Sequence, residues 1–89
     1  MIVVDASVAA KWVLTEPNNS AALEILTGSV PLVAPAIVQL EVMSAVVRHL
    51  RQGSHSLDRA RQARDAWERI LAEGALELVP ISEIYAAGV

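Results

Sequence analysis

Apolar residues run from Met1 to Val4 without a break, meet Asp5, and then resume at helical spacing. A continuous, β-branched, non-alternating run of this length predicts a short buried strand over residues 1–5. ASVAAKWVL (6–14) predicts a helix, with Val8, Trp12 and Val13 about one turn apart, and TEPNN (15–19) reads as a turn around Pro17. SAALEILTG (20–28) predicts a second short helix ended by Gly28, and SVPLVAP (29–35) a second strand centred on Leu32–Ala34. The longest apolar-periodic segment is AIVQLEVMSAVVRHLRQG (36–53), a helix with Pro35 at or near its first turn and Gly53 at its end. SHSLDRARQARDAWERILAEG (54–74) predicts another helix, with Ser56 as N-cap and Gly74 as its stop. ALELVPI (75–81) reads as a third strand, and SEIYAAGV (82–89) begins a further helix at Ser82.

Strands alternating with helices predict an α/β fold with a parallel sheet of about three strands. No repeat or low-complexity segment interrupts it, and 1–89 is read as one domain. A chain of 89 residues buries only about 60–65% of its unfolded surface by size scaling, and 54% of this one is hydrophobic. That combination favours buried parallel strands or an oligomer. No apolar run reaches the ~18–20 residues a bilayer crossing needs, and no basic segment precedes the first apolar stretch. Cysteine is absent, so disulfides and thiolate zinc sites are excluded and a cytoplasmic location is expected.

Charge changes the picture through its distribution. The net charge is −3, yet six of the seven Lys and Arg residues fall between Arg48 and Arg69. His49 and His55 share that segment, as surface or nucleic-acid-facing residues, and only Asp58, Asp65 and Glu68 oppose the arginines there. Such a patch attracts phosphate backbones, with Arg48 and Arg51 as candidate contacts. It equally suits a solvated helix face laced with pairs such as Asp65–Arg69 or Arg61–Asp65.

Two carboxylates interrupt apolar segments. Asp5 ends the first strand, where open parallel sheets bind ligands, and also precedes a helix, where Asp is a favoured N-cap. Ser7 stands two residues on, as a cap or a hydrogen-bond donor to that acid. Glu41 interrupts a helix that is apolar nearly all round, so it is expected inside the fold or lining a cleft. There it needs compensation, from an ion pair with Lys11 or Arg48 or from a metal ion. Two carboxylates of this kind suit a hard cation, Mg²⁺ or Mn²⁺. The spacing of Asp5 and Glu41 does not by itself identify such a site. Trp12 and Val13, and Trp67 and Leu71, lie at helical spacing among aliphatic neighbours, as core residues or as anchors for a partner.

The stretches MIVVDASVAAKWVL (1–14), TEPNNSAALEIL (15–26) and VAPAIVQLEVMSAVVRHLRQG (33–53), with ELVPIS (77–82), resemble the N-terminal part of a PIN domain. Within that family they resemble the VapC-like toxins of bacterial type II toxin–antitoxin modules. The resemblance implies a PIN-like three-layer α/β fold and an endoribonuclease that hydrolyses RNA phosphodiesters with Mg²⁺ or Mn²⁺. The first family acid matches Asp5, with Ser7 beside it, and the second matches Glu41. Family members supply further acids after the third strand. No acid here matches them, so a C-terminally truncated domain with weak or no activity is expected. The resemblance also implies a protein antitoxin and a homodimer as partners. The alternative is a catalytically dead module that docks an antitoxin or a second copy through Trp12, Val13, Trp67 and Leu71.

Overall fold

The computed structural model describes residues 1–14, 19–80 and 82–83. The turn expected at 15–19 and the helix expected from Ser82 therefore fall mostly outside the described residues. Seven elements follow in chain order: β1 (Ile2–Val3), α1 (Ala6–Val13), α2 (Asn19–Thr27), β2 (Leu32–Pro35), α3 (Val38–Arg51), α4 (Leu57–Ala72) and β3 (Glu77–Val79). The strands form a parallel sheet in the order β1-β2-β3, so the α/β architecture is as expected. In register, Val33 of the central strand stands beside Val3 on one side and Glu77 on the other.

Local sequence chemistry sets most of the boundaries. Ser56 caps α4, its hydroxyl accepting from the Arg59 amide at 3.1 Å. Gly53 and Gly74 follow α3 and α4 with φ of 75° and 73°, the left-handed conformation that stops a helix and that glycine adopts without penalty. Pro35 is not in the first turn of α3. It ends β2 in register with Val79, and the next amide, Ala36, donates to the Val79 carbonyl at 2.8 Å. Proline is tolerated there because it closes the strand.

The core lies between the sheet and the helices, with α1 packed on α2, α3 and α4, and α3 on α4. Val4, Leu14, Leu32, Val38, Val42, Trp67 and Leu76 are buried in it. Trp12, Val13 and Trp67 are buried too, so they are core residues and not a docking surface. The Trp12 indole donates to the Ala22 carbonyl at 2.8 Å, which ties α1 to α2. Leu71 is half-buried against the same core.

Three expectations are corrected. β1 is not buried: Ile2 and Val3 are 36% and 38% exposed, because β1 stands at the edge of the described sheet with β2 alone as neighbour. α3 is not covered all round. Val38, Val42 and Val46 are buried against its neighbours, while Ile37 just before it, Leu40 and Val47 remain 57%, 66% and 44% exposed. The charged residues of α4 pair as Asp58 with Arg61, at the expected i,i+3 spacing, and as Arg64 with Asp65, and not as Asp65–Arg69 or Arg61–Asp65. Arg61 lies 3.8 Å from Asp58 and Arg64 3.1 Å from Asp65, both in exposed positions where ion pairs contribute little. Among the described residues, no helix is long and apolar enough to cross a membrane.

Candidate active site

β1 and β2 are parallel, and each leads within a few residues into a helix, β1 into α1 and β2 into α3. Both helices therefore begin at the carboxyl edge of the sheet, where parallel α/β folds bind ligands. Asp5 is the N-cap of α1, in extended backbone conformation. Its Oδ1 accepts from the Val8 amide at 3.0 Å and from the Ser7 hydroxyl at 2.8 Å. These bonds, the Val8 amide first and the Ser7 hydroxyl second, hold the carboxyl below the ordinary Asp pKa, and partial burial opposes them only in part. The Ser7 backbone amide adds a smaller contribution that also lowers it. The cap and ligand readings of Asp5 are compatible, since the cap and the Ser7 hydroxyl both bond Oδ1.

Glu41 lies in the first turn of α3, where the helix dipole favours an acid. It is exposed, and it lines a cleft of about 320 Å³ between α1 and α3. Ser7 and Lys11 of α1 face Glu41, Arg48 and His49 of α3 across this cleft, and alanines 6, 10 and 45 leave the space between them. Of the two placements expected for Glu41, the structure takes the cleft. Among the described residues Glu41 forms no ion pair with Lys11 or Arg48. Water, not a buried counter-charge, solvates it, and the carboxylate is left available. Ser7 joins the two acids, since its hydroxyl binds Asp5 while its side of α1 forms the cleft wall opposite Glu41.

The basic residues divide between surfaces. Arg48 borders the cleft and also a neighbouring groove that Arg51 lines with Leu40, Met43, Ser44 and Val47. Arg51 faces only that second groove. His49 and His55 are half-buried and stack on one another, with ring centroids 4.8 Å apart and planes 26° from parallel. They join the end of α3 to the start of α4 and are not free surface side chains. Lys11 is the cleft residue that sequence reading treated only as an ion-pair partner for Glu41. Its i,i+4 spacing from Ser7 was the available signal, because that spacing places both on one face of α1.

The donor set is oxygen-only and small. Among the described residues no group of three or more His, Cys, Asp or Glu side chains is placed to hold a metal ion. Two carboxylates still suit Mg²⁺, which keeps several waters and is commonly bound by one or two carboxylates together with substrate phosphate. A family model described as PIN domain matches residues 2–88. Comparison with curated proteins and with solved structures gives no match.

Proposed function

This chain belongs to the PIN domain family, whose members are generally nucleases that use divalent metal ions, and from that premise we propose that it is an endoribonuclease of the VapC-like toxin type. The observation that carries the reading is that Glu41 faces Ser7 across one cleft at the carboxyl edge of the sheet, while the Ser7 hydroxyl bonds Asp5. Asp5 Oδ2 and the Glu41 carboxylate are the groups that would hold Mg²⁺ or Mn²⁺. Such an ion supplies Lewis acidity toward a phosphodiester and activates water for in-line attack. The protein's own part is positional. The Ser7 hydroxyl and the Val8 amide fix the Asp5 rotamer and keep it ionised. The arginines at 48 and 51 attract the RNA strand. Two carboxylates leave the rest of the coordination to water and substrate, so slow turnover is expected.

The test is cleavage of RNA with Mg²⁺ or Mn²⁺, run beside Mn²⁺ binding followed by electron paramagnetic resonance. Slow, chelator-sensitive cleavage is expected. It should disappear in Asp5→Asn and Glu41→Gln, with Mn²⁺ affinity falling in both. Cleavage that survives chelator or Asp5→Asn would overturn the reading.

A second reading is favoured by the exposed apolar face of α3, where Leu40 and Val47 stand open to solvent. It is a binding module that pairs with a second copy through this face and is held, as the toxin type implies, by a protein antitoxin in the cytoplasm. The face on α3 takes the place of the buried Trp12, Val13 and Trp67 as the candidate contact.

A further inference from the structure

We propose that Lys11 and Arg48 form a phosphate subsite on the wall of the cleft that Glu41 lines between α1 and α3, which holds a backbone phosphate about two to three nucleotides from the one that reacts. The proposal rests on the nucleic-acid reading above and adds to it a second anion position.

The two cations come from different helices and meet in one cleft. Lys11 lies four residues beyond Ser7 on α1, and Arg48 seven beyond Glu41 on α3. At a rise of 1.5 Å per residue these steps are about 6 Å and about 10 Å along the helix axes. Both helices start at the same edge of the sheet, so Ser7 and Glu41 lie toward that edge of the cleft and the two cations farther along. The separation spans two to three base steps of a strand rising ~3.4 Å per step. A phosphate at the cations is therefore about two to three nucleotides along the strand from one at the carboxylates.

Neither cation is spent within the fold. Among the described residues no carboxylate lies within ion-pair distance of Lys11 or Arg48, although Glu41 lines the same cleft. By contrast, Arg61 and Arg64 are paired with Asp58 and Asp65, and Arg59 donates to the Val13 carbonyl. Lys11 is half-buried, which holds its stem in the cleft and limits the freedom it loses on binding an anion. The alanines between the helices leave room for a phosphodiester. Two cations carried by separate helices fit a polyanion that reaches both.

The experiment is fluorescence anisotropy of a labelled single-stranded oligoribonucleotide, measured in chelator so that binding does not depend on metal or cleavage. Lys11→Gln and Arg48→Gln are each expected to weaken binding several-fold. Each should reduce the slope of log affinity against log salt by about 0.7, the value for one phosphate contact on a single strand. Arg69→Gln, on the exposed side of α4, should leave both unchanged, and circular dichroism checks that each variant folds. Millimolar orthophosphate should compete in the wild type and not in the double variant. An unchanged slope in both cleft variants would overturn the subsite, as would a polyglutamate peptide that binds with the same dependence on Lys11. The two readings fail separately. Cleavage lost in Asp5→Asn with oligonucleotide binding insensitive to Lys11 and Arg48 removes the subsite alone. Binding sensitive to both cations in a protein that cleaves nothing removes the nuclease alone.

Discussion

At the scale of a residue, Asp5 combines a structural and a chemical use in one side chain. As N-cap it satisfies an amide that the first turn of α1 cannot, and truncating such a cap costs about 1 kcal/mol. Asp5→Ala should therefore lower stability by about that amount at neutral pH, while Asp5→Asn changes it by only a few tenths, since Asn caps equally well. The pH dependence follows from the lowered pKa. Because the folded state favours the ionised carboxyl, its stabilisation is complete above the ordinary Asp value of 3.8 and is lost as pH falls through the lower folded value. Urea titrations at neutral pH and near pH 3 should thus show wild type losing part of its stability on acidification that Asp5→Asn does not lose at this position. An equal acid loss in both would mean that the Val8 and Ser7 bonds do not favour the charged form. The same substitution removes the charge a metal needs, so Asp5→Asn separates the cap from the ligand.

At the scale of an element, the helices are held at their ends by polar contacts as well as by the apolar core. Arg59 of α4 donates to the Val13 carbonyl at 2.8 Å in a part-buried position, and so closes the C-terminal turn of α1. Hydrogen bonds from charged donors contribute about 1.5–3 kcal/mol, and Arg59→Ala should destabilise by that much in urea unfolding. Arg61→Ala should stay within about 0.5 kcal/mol, because its pair with Asp58 is exposed. A comparable loss in both would place the effect in general charge and not in the contact to α1. Element identity was legible in the sequence wherever it depends on neighbours in the chain. Ser56, Gly53 and Gly74 mark helix ends by local backbone chemistry, and the strand–helix alternation gave the parallel sheet. The site was legible only in part. Asp5 and Glu41 stood out as acids in apolar segments, but that they line one edge depends on the parallel pairing of β1 with β2. The misreadings share one cause. The cover over Ile2, Leu40 and Val47, and the face of α1 that turns Lys11 toward α3, depend on which elements pack together, and periodicity does not record that.

At the scale of the molecule, burial is uneven, and part of the apolar surface stands open to solvent. Leu40, Val47 and Leu57 are 66%, 44% and 53% exposed, and Met43 joins them into a patch across α3 and the start of α4. On α3, Leu40 and Val47 are seven residues apart and so lie on one stripe. A two-fold axis through such a stripe has each copy present the same residues to the other. Its borders are charged, Arg48 and Arg51 on one side and the Arg61–Asp58 pair on the other, which gives an apolar centre with a polar rim. We therefore expect a homodimer through α3. Burying one Leu side chain contributes about 1.5–3 kcal/mol, and a two-fold interface counts it twice. Leu40→Glu should accordingly weaken dimerisation at least a hundredfold, a change of about 3 kcal/mol or more, while the exposed position leaves the monomer's fold intact. Analytical ultracentrifugation over a concentration series reads this directly. A wild type that stays monomeric throughout, or a Leu40→Glu variant that dimerises as tightly, would rule out this face as the contact between copies. Oligonucleotide binding by Leu40→Glu adds a separate reading, because Arg48 borders both the patch and the cleft. If a second copy covers the patch without reaching the cleft, the monomeric variant binds the strand as wild type does.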